Sequence, residues 1–446
     1  MMSHLIPVIL ASLSVAAPPD PGGEVEVPRY GVFEQSLRHS GDRANPYATL
    51  AATAELTAPD GVAKRRIPLF WDGGRDWKLR FSPDRSGTWS WAVRSDDPGL
   101  DGQSGRFRVV ESDRKGGLGR MEGSPYHFRR QDGTPFWFLG DTGWALFTTG
   151  AEEKHTRGAV ERYIDARADQ GFNVIHAMLI SEAGWGNDGG PAFEDLGAER
   201  INPGYWREVD RTLAYLNGKG IVGGLVLAWS DKGRNPNNWR DFPSQEARER
   251  YARYVAARYS ASDVYFIVGG EWDLEIAVRP VARRAETAIH GDRRAVADAD
   301  PHGRLIGIHP GGNGSVEEFA DAPGMDFGDY QQIYNDLHAA ILKARATTGR
   351  WSTPSTPTTC ATRTRTGGRT SPTARAWRRS ATPPGTSPWR AATSSRASAR
   401  PTSAATATRA RSTSTRRRTT TGRRTCSTSA PCSRPWSGGD SSPTTS

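Results

Sequence analysis

The chain has 446 residues, 24% of them charged, with 15 tryptophans and a formal net charge of +10. Residues 351–446 hold 17 Arg, no Lys and one acid, Asp440, and so carry +16; taken from +10, this leaves the first 350 residues at −6. A mildly acidic body does not predict nucleic-acid binding, for which only the basic tail is suited, and with Cys360, Cys426 and Cys432 all beyond residue 350 the body has no disulfide or thiolate chemistry.

The chain opens Met-Met-Ser-His, then runs apolar from Leu5 to Ala17, with small residues at Ser14-Val15-Ala16. This run is too short to span a bilayer, so residues 1–17 are expected to be a secretory signal. Nothing later approaches a membrane span, so no membrane partner is expected and the mature protein should be secreted or periplasmic.

Residues 27–112 alternate apolar and polar with period two, and turn residues interrupt them every eight to twelve positions. Tyr30–Leu37, Ala48–Leu56, Arg66–Trp71, Trp77–Phe81, Thr88–Val93 and Gly105–Val110 are the predicted strands; Asp72-Gly-Gly and Asp101-Gly mark turns. Evenly spaced short strands indicate an all-β sandwich. Trp71, Trp77, Trp89 and Trp91 could offer a sugar-stacking face, but core and rim positions suit them better.

Ser124–Phe138 is predicted as a hairpin entering a second domain, residues 120–350, where strand and helix periods alternate. Predicted strands are Phe136–Gly140, Phe172–Ile180, Ile221–Ala228, Val264–Gly270, Leu305–His309 and Met325–Phe327. Predicted helices are Thr156–Gln170, Pro203–Lys219, Ser244–Tyr259, residues near 281–296 and Asp336–Ala346. Six such units, with a seventh strand due near residue 350, favour a closed (β/α)8 TIM barrel over an open sheet, an α/β fold that is incomplete as written.

The pattern ends at Arg350. Residues 351–446 contain no Val, Ile, Leu, Phe, Tyr, Met, Asn, Gln, Glu or His. A basic, disordered low-complexity tail has this look, but such tails rarely interrupt a barrel with two units outstanding. The genetic code offers another account. Each codon can be rebuilt from the third base of one residue and the first two of the next. The result is compatible with Val-Val-Asn-Ala-Glu-Tyr-Ala-Tyr-Tyr-Leu-Arg-Asp from position 351, a buried strand whose glutamate aligns with Ser355. Residues 351–446 are therefore read as a frameshift product.

Retaining hydrolysis of a glycosidic bond needs two carboxyl groups roughly 5–5.5 Å apart. On strands four and seven of a barrel they face each other across its mouth. Glu271 ends strand four, directly after Val264-Tyr-Phe-Ile-Val-Gly-Gly. It is the candidate catalytic residue, although capping the next helix would also explain it. The expected substrate-binding residues follow the other strands: Asp141 and Trp144, Glu182 and Trp185, Trp229, His309, and Tyr330 with Gln331. Asp141 could instead cap a helix, Trp144 and Trp229 could pack the rim, and His309 and mid-strand His176 could be core histidines. No metal-ligand spacing and no phosphate fingerprint occurs; Gly-Gly-Asn-Gly at 311–314 lacks the P-loop lysine. No metal or cofactor is expected.

Pro28–Glu34, Phe70-Trp-Asp-Gly-Gly and Lys78–Trp91 resemble the β-sandwich domain that precedes certain bacterial (β/α)8 glycoside hydrolases. Leu139-Gly-Asp-Thr-Gly-Trp, Gly171-Phe-Asn-Val-Ile and Gly269-Gly-Glu resemble the apiosidase-like barrel that follows it. The resemblance spans roughly residues 27–348. It implies that Glu271 is the acid/base, that a strand-seven glutamate is the nucleophile, and that the partner is a poly- or oligosaccharide. The sequence departs from that pattern in strand seven, so the chain as written should be inactive. A non-catalytic carbohydrate-binding protein on the same scaffold is the alternative.

Overall fold

A computed structural model of the chain describes residues 24–149, 155–181, 185–197, 199–229, 241–271, 279–309, 324–330 and 358–361. The first part is a sandwich of β1 (Val25–Pro28), β2 (Phe33–Arg38), a helical turn α1 (Pro46–Thr49), β3 (Ala52–Thr57), β4 (Lys64–Pro68), β5 (Phe70–Gly73), β6 (Asp76–Phe81), β7 (Gly87–Ser95) and β8 (Ser104–Val110). One sheet runs β1-β8-β7-β3-β4 and the other β2-β6-β5. Alternation sets which residues meet between them: Phe33 stacks on Phe107 at 3.9 Å, and Phe81 tilts against Trp89 at 4.9 Å. Trp77, Trp89 and Trp91 are buried here, and Trp71 is half-buried, its indole N–H donating to the Gly74 carbonyl. They form core rather than a sugar platform.

A three-stranded meander follows: β9 (Leu118–Met121), β10 (Ser124–Arg130) and β11 (Pro135–Phe136). The predicted first barrel strand, Phe136–Gly140, is displaced. Phe136 pairs with Phe128 of the meander, and the strand itself is β12 (Gly140–Thr142). Between them the Asn173 side chain replaces the ladder, accepting from the Leu139 N–H and donating to the Trp137 carbonyl.

The second part alternates α2 (Arg157–Asp169), β13 (Val174–Met178), a small hairpin of β14 (Phe193–Asp195) and β15 (Arg200–Ile201), α3 (Pro203–Gly218), β16 (Val222–Val226), α4 (Gln245–Tyr259), β17 (Val264–Gly270), α5 (Arg279–Ala299), β18 (Ile306–His309), β19 (Phe327–Tyr330) and β20 (Thr358–Ala361). Side-chain caps start α2, α3 and α4 where the sequence supplies Thr156, Asn202 and Ser244. Strands β12-β13-β16-β17-β18-β19-β20 form one parallel sheet. It curls into a half-barrel of the (β/α)8 type, the fold class expected from the sequence.

Alternation along β17 sorts its side chains. Val264, Phe266 and Val268 join the helix-side core, while Tyr265 and Ile267 join the lumen cluster with Val174, Val222, Leu305 and Phe327. Leu118 and Phe128 of the meander belong to that lumen cluster, with Phe136 and Phe138 packed against it. The predicted helix Asp336–Ala346 lies outside the described residues. The seventh strand, due near residue 350, is observed at 358–361, in parallel register with β19. Among the described residues no helix is long and apolar enough to cross a membrane.

Candidate active site

The barrel's strand ends bring together residues from six strands and the loops after them. Gly270 closes β17. A Cβ there would sit 2.0 Å from the Trp229 ring, so glycine is what lets that indole approach the backbone. Trp229, which follows β16, is buried and meets Trp144 edge-on at 4.5 Å. Trp144, after β12, is half-buried and touches the His176 and His309 rings at 5.4 and 6.1 Å.

Glu271 comes next. Its φ of +45° is the left-handed conformation, uncommon for a residue with a side chain. Its N–H donates to the His309 carbonyl at 2.7 Å, which ties the turn to the neighbouring strand. The side chain is buried, with 5% of the residue exposed. A strained, buried carboxylate at a strand end is the kind of group that functional sites retain.

Three lumen groups converge in the same region. His309 Nδ1 lies 3.0 Å and His176 Nδ1 3.2 Å from the same oxygen, Asp329 Oδ2. The His309 contact is a hydrogen bond, whereas His176 is at ion-pair distance but out of line for one. All three side chains are buried, and their ligand atoms lie within 4.8 Å of one another, close enough to hold a metal ion. The same spacing is that of one carboxylate shared between two imidazoles.

Burial pushes the His176 imidazole down to about 4, against a partial upward pull from Asp329. A histidine whose folded pKa is depressed contributes its full stability above the unfolded value near 6.5, and loses it as pH falls from there to about 4. The loss should reach roughly 3 kcal/mol at most. Urea midpoints at pH 7.5 and 4.5 check this: His176→Asn should flatten the pH dependence, and an unchanged slope would rule the effect out.

The other expected residues are placed differently. Asp141 does not face this region. It pairs in register with Ile175, whose side chain is on the helix side of the sheet, and is held there by Arg167 and by the Tyr163 hydroxyl at 3.0 Å. The expected sugar contact is thus a strand-to-helix tie, because the two-residue period puts Thr142, not Asp141, on the lumen side with His176. Trp185 is 38% exposed in the loop after β13. Glu182 and Gln331 lie outside the described residues, as does the Tyr330 side chain; the Tyr330 backbone closes β19. Sequence reasoning missed Asp329 and set His176 aside. Period-two reading of β13 and β19 could have put both on the lumen face.

A model of the apiosidase-like catalytic domain matches residues 123–363, more than half of the chain. The chain belongs to the apiosidase-like family. A domain of unknown function matches residues 26–96, within the sandwich. No curated protein matches the chain. Among solved structures, a candidate glycoside hydrolase from Bacteroides vulgatus aligns with a TM-score of 0.60 and 21% identity, over 75% of this chain and 64% of that one. At that identity the likeness is one of fold. A family 5 glycoside hydrolase from the same organism aligns with a TM-score of 0.41 and 19% identity, over 55% of this chain and 52% of that one. An exo-β-1,4-mannosidase from an Opitutaceae bacterium aligns with a TM-score of 0.36 and 18% identity, over 47% and 40%. The apiosidase-like chain thus spans less than two thirds of each of these structures, on a glycoside-hydrolase-like fold.

Proposed function

We propose that this chain derives from a secreted glycoside hydrolase that cleaves a plant or microbial polysaccharide with retention of configuration. The observation that carries the reading is Glu271, buried at the end of the fourth strand of an apiosidase-like barrel and adjoining the Trp229–Trp144 wall. A carboxyl group there can protonate a departing glycosidic oxygen and later take a proton from water. Aromatic faces suit the apolar faces of sugar rings. His309 and Asp329 provide hydrogen-bonding groups nearby, and Trp185, Glu182, Tyr330 and Gln331 are the further substrate contacts of this proposal.

The second carboxylate belongs on strand seven. Here that strand reads Thr-Thr-Cys-Ala, with no acid. We infer that the reading frame is lost after residue 350 and the nucleophile with it. The same observation favours a second reading for the chain as written: a scaffold that binds sugar without turning it over.

The test is the frame-restored chain, screened against a polysaccharide panel with the anomer of the first-formed product followed by NMR. Hydrolysis with retention is expected. Inversion would overturn the mechanism, and binding without turnover would replace the enzyme by the sugar-binding reading.

A further inference from the structure

We propose that the N-terminal sandwich is the barrel's folding partner, supplying the anion that makes a buried arginine of the barrel tolerable, and is not a detachable sugar-binding module. The residue is Arg258, near the end of α4, whose side chain is wholly buried. A guanidinium removed from water costs several kcal/mol unless charge and hydrogen bonds surround it. The barrel itself offers one carboxylate: Asp210 of α3 accepts from Nε and from a terminal nitrogen, both at 2.8 Å. The other comes from the sandwich, where Asp72 on β5 accepts at 2.8 Å. The Tyr254 hydroxyl accepts from the remaining terminal nitrogen at 2.9 Å.

The charges alternate across the boundary. Sandwich Arg80 donates to Asp210 at 2.7 Å and to the Arg258 carbonyl at 3.0 Å, and is itself paired with Glu34 at 2.6 Å. Both guanidiniums lie over one sandwich ring, Phe70, at 4.9 and 4.7 Å. Phe70 and Tyr47, though encoded with the sandwich, pack into the barrel's helix-side core. A second anchor stands apart from this network: the Ser82 N–H donates to His302 Nε2 at 2.9 Å, while Phe81 packs on that ring at 5.2 Å.

The placement matters. Helices α3 and α4 lead into β16 and β17, the strands that end beside Trp229 and at Glu271. The sandwich therefore braces the two units that present the candidate site. Its own tryptophans Trp77, Trp89 and Trp91 are spent in its core and are not free to stack on sugar. This role would stand whether or not the barrel hydrolyses anything.

A double-mutant cycle in the full chain tests it: Asp72→Asn, Arg258→Met and the pair, unfolded in urea. Asp72→Asn should lower the folded-to-unfolded ratio by roughly 100-fold. In the Arg258→Met background the same change should cost less than about tenfold, since the wholly buried cation is gone and the other cations beside Asp72, Lys78 at 3.5 Å and Arg207 at 3.6 Å, keep contact with water. Costs that simply add would overturn the proposal. Should a variant fail to fold, a specific protease site at exposed Arg114–Lys115 gives an independent reading. After cleavage the sandwich and barrel should co-elute on gel filtration and melt in one transition; separation would overturn it.

Discussion

Replacing Glu271 by glutamine, in a chain whose frame runs correctly past residue 350, is expected to lower turnover by about 10²–10⁴-fold, the usual contribution of a positioned general acid/base. Glutamine keeps the volume of the side chain and so should leave the Trp229–Gly270 packing intact. It cannot deliver a proton. The loss should therefore fall on kcat rather than KM. Leaving group separates the roles further. A natural sugar alcohol needs its oxygen protonated as the bond breaks, whereas an activated aryl group leaves without that help. The variant should lose much less on the aryl glycoside in the bond-breaking step. Equal losses on both substrates, or an unchanged kcat on the natural one, would remove Glu271 from the proton-transfer role.

Much of the fold was legible because its strands are buried on both faces. Val264–Gly270 is observed with the predicted bounds, since a continuous β-branched and aromatic run ending in two glycines admits few other conformations. Helices α2, α3 and α4 begin one residue after the predicted starts or at them, because Thr156 and Ser244 are the caps and Pro203 opens its helix. The hairpin β14–β15 escaped notice, its strands being three and two residues long. The Ala48–Leu56 strand begins only at Ala52, since Pro46 opens a helical turn that claims Ala48 and Thr49.

The candidate site was legible in part. Glu271, Trp144, Trp229 and His309 each stand at or just beyond a strand end, and a barrel gathers strand ends. Asp141 also stands at a strand end, but its strand is only three residues long and the two-residue period turns it to the helices. His176 and Asp329 could not be paired from local spacing. They are 153 positions apart in the chain and meet only because β13 and β19 curve toward one lumen.

Among the described residues β12 pairs with β13 and with no strand on its other edge. Just before it, Trp137 is 56% and Leu139 43% exposed. An open edge with apolar residues beside it favours pairing with other chains. A parallel strand in this setting is normally rich in Val, Ile and Leu, and β20 is Thr-Thr-Cys-Ala in a segment that contains none of the three. The frame-restored segment would provide apolar residues and an eighth strand to meet β12. Burying one large side chain such as Trp137 contributes about 1.5–3 kcal/mol, so closure should raise Tm by at least several degrees. It should also slow amide exchange at Gly140–Thr142 and reduce aggregation. If the restored chain melted no higher and exchanged as fast at β12, the missing strands would not be what this edge awaits. The tail as written would then have to be taken as the protein's own.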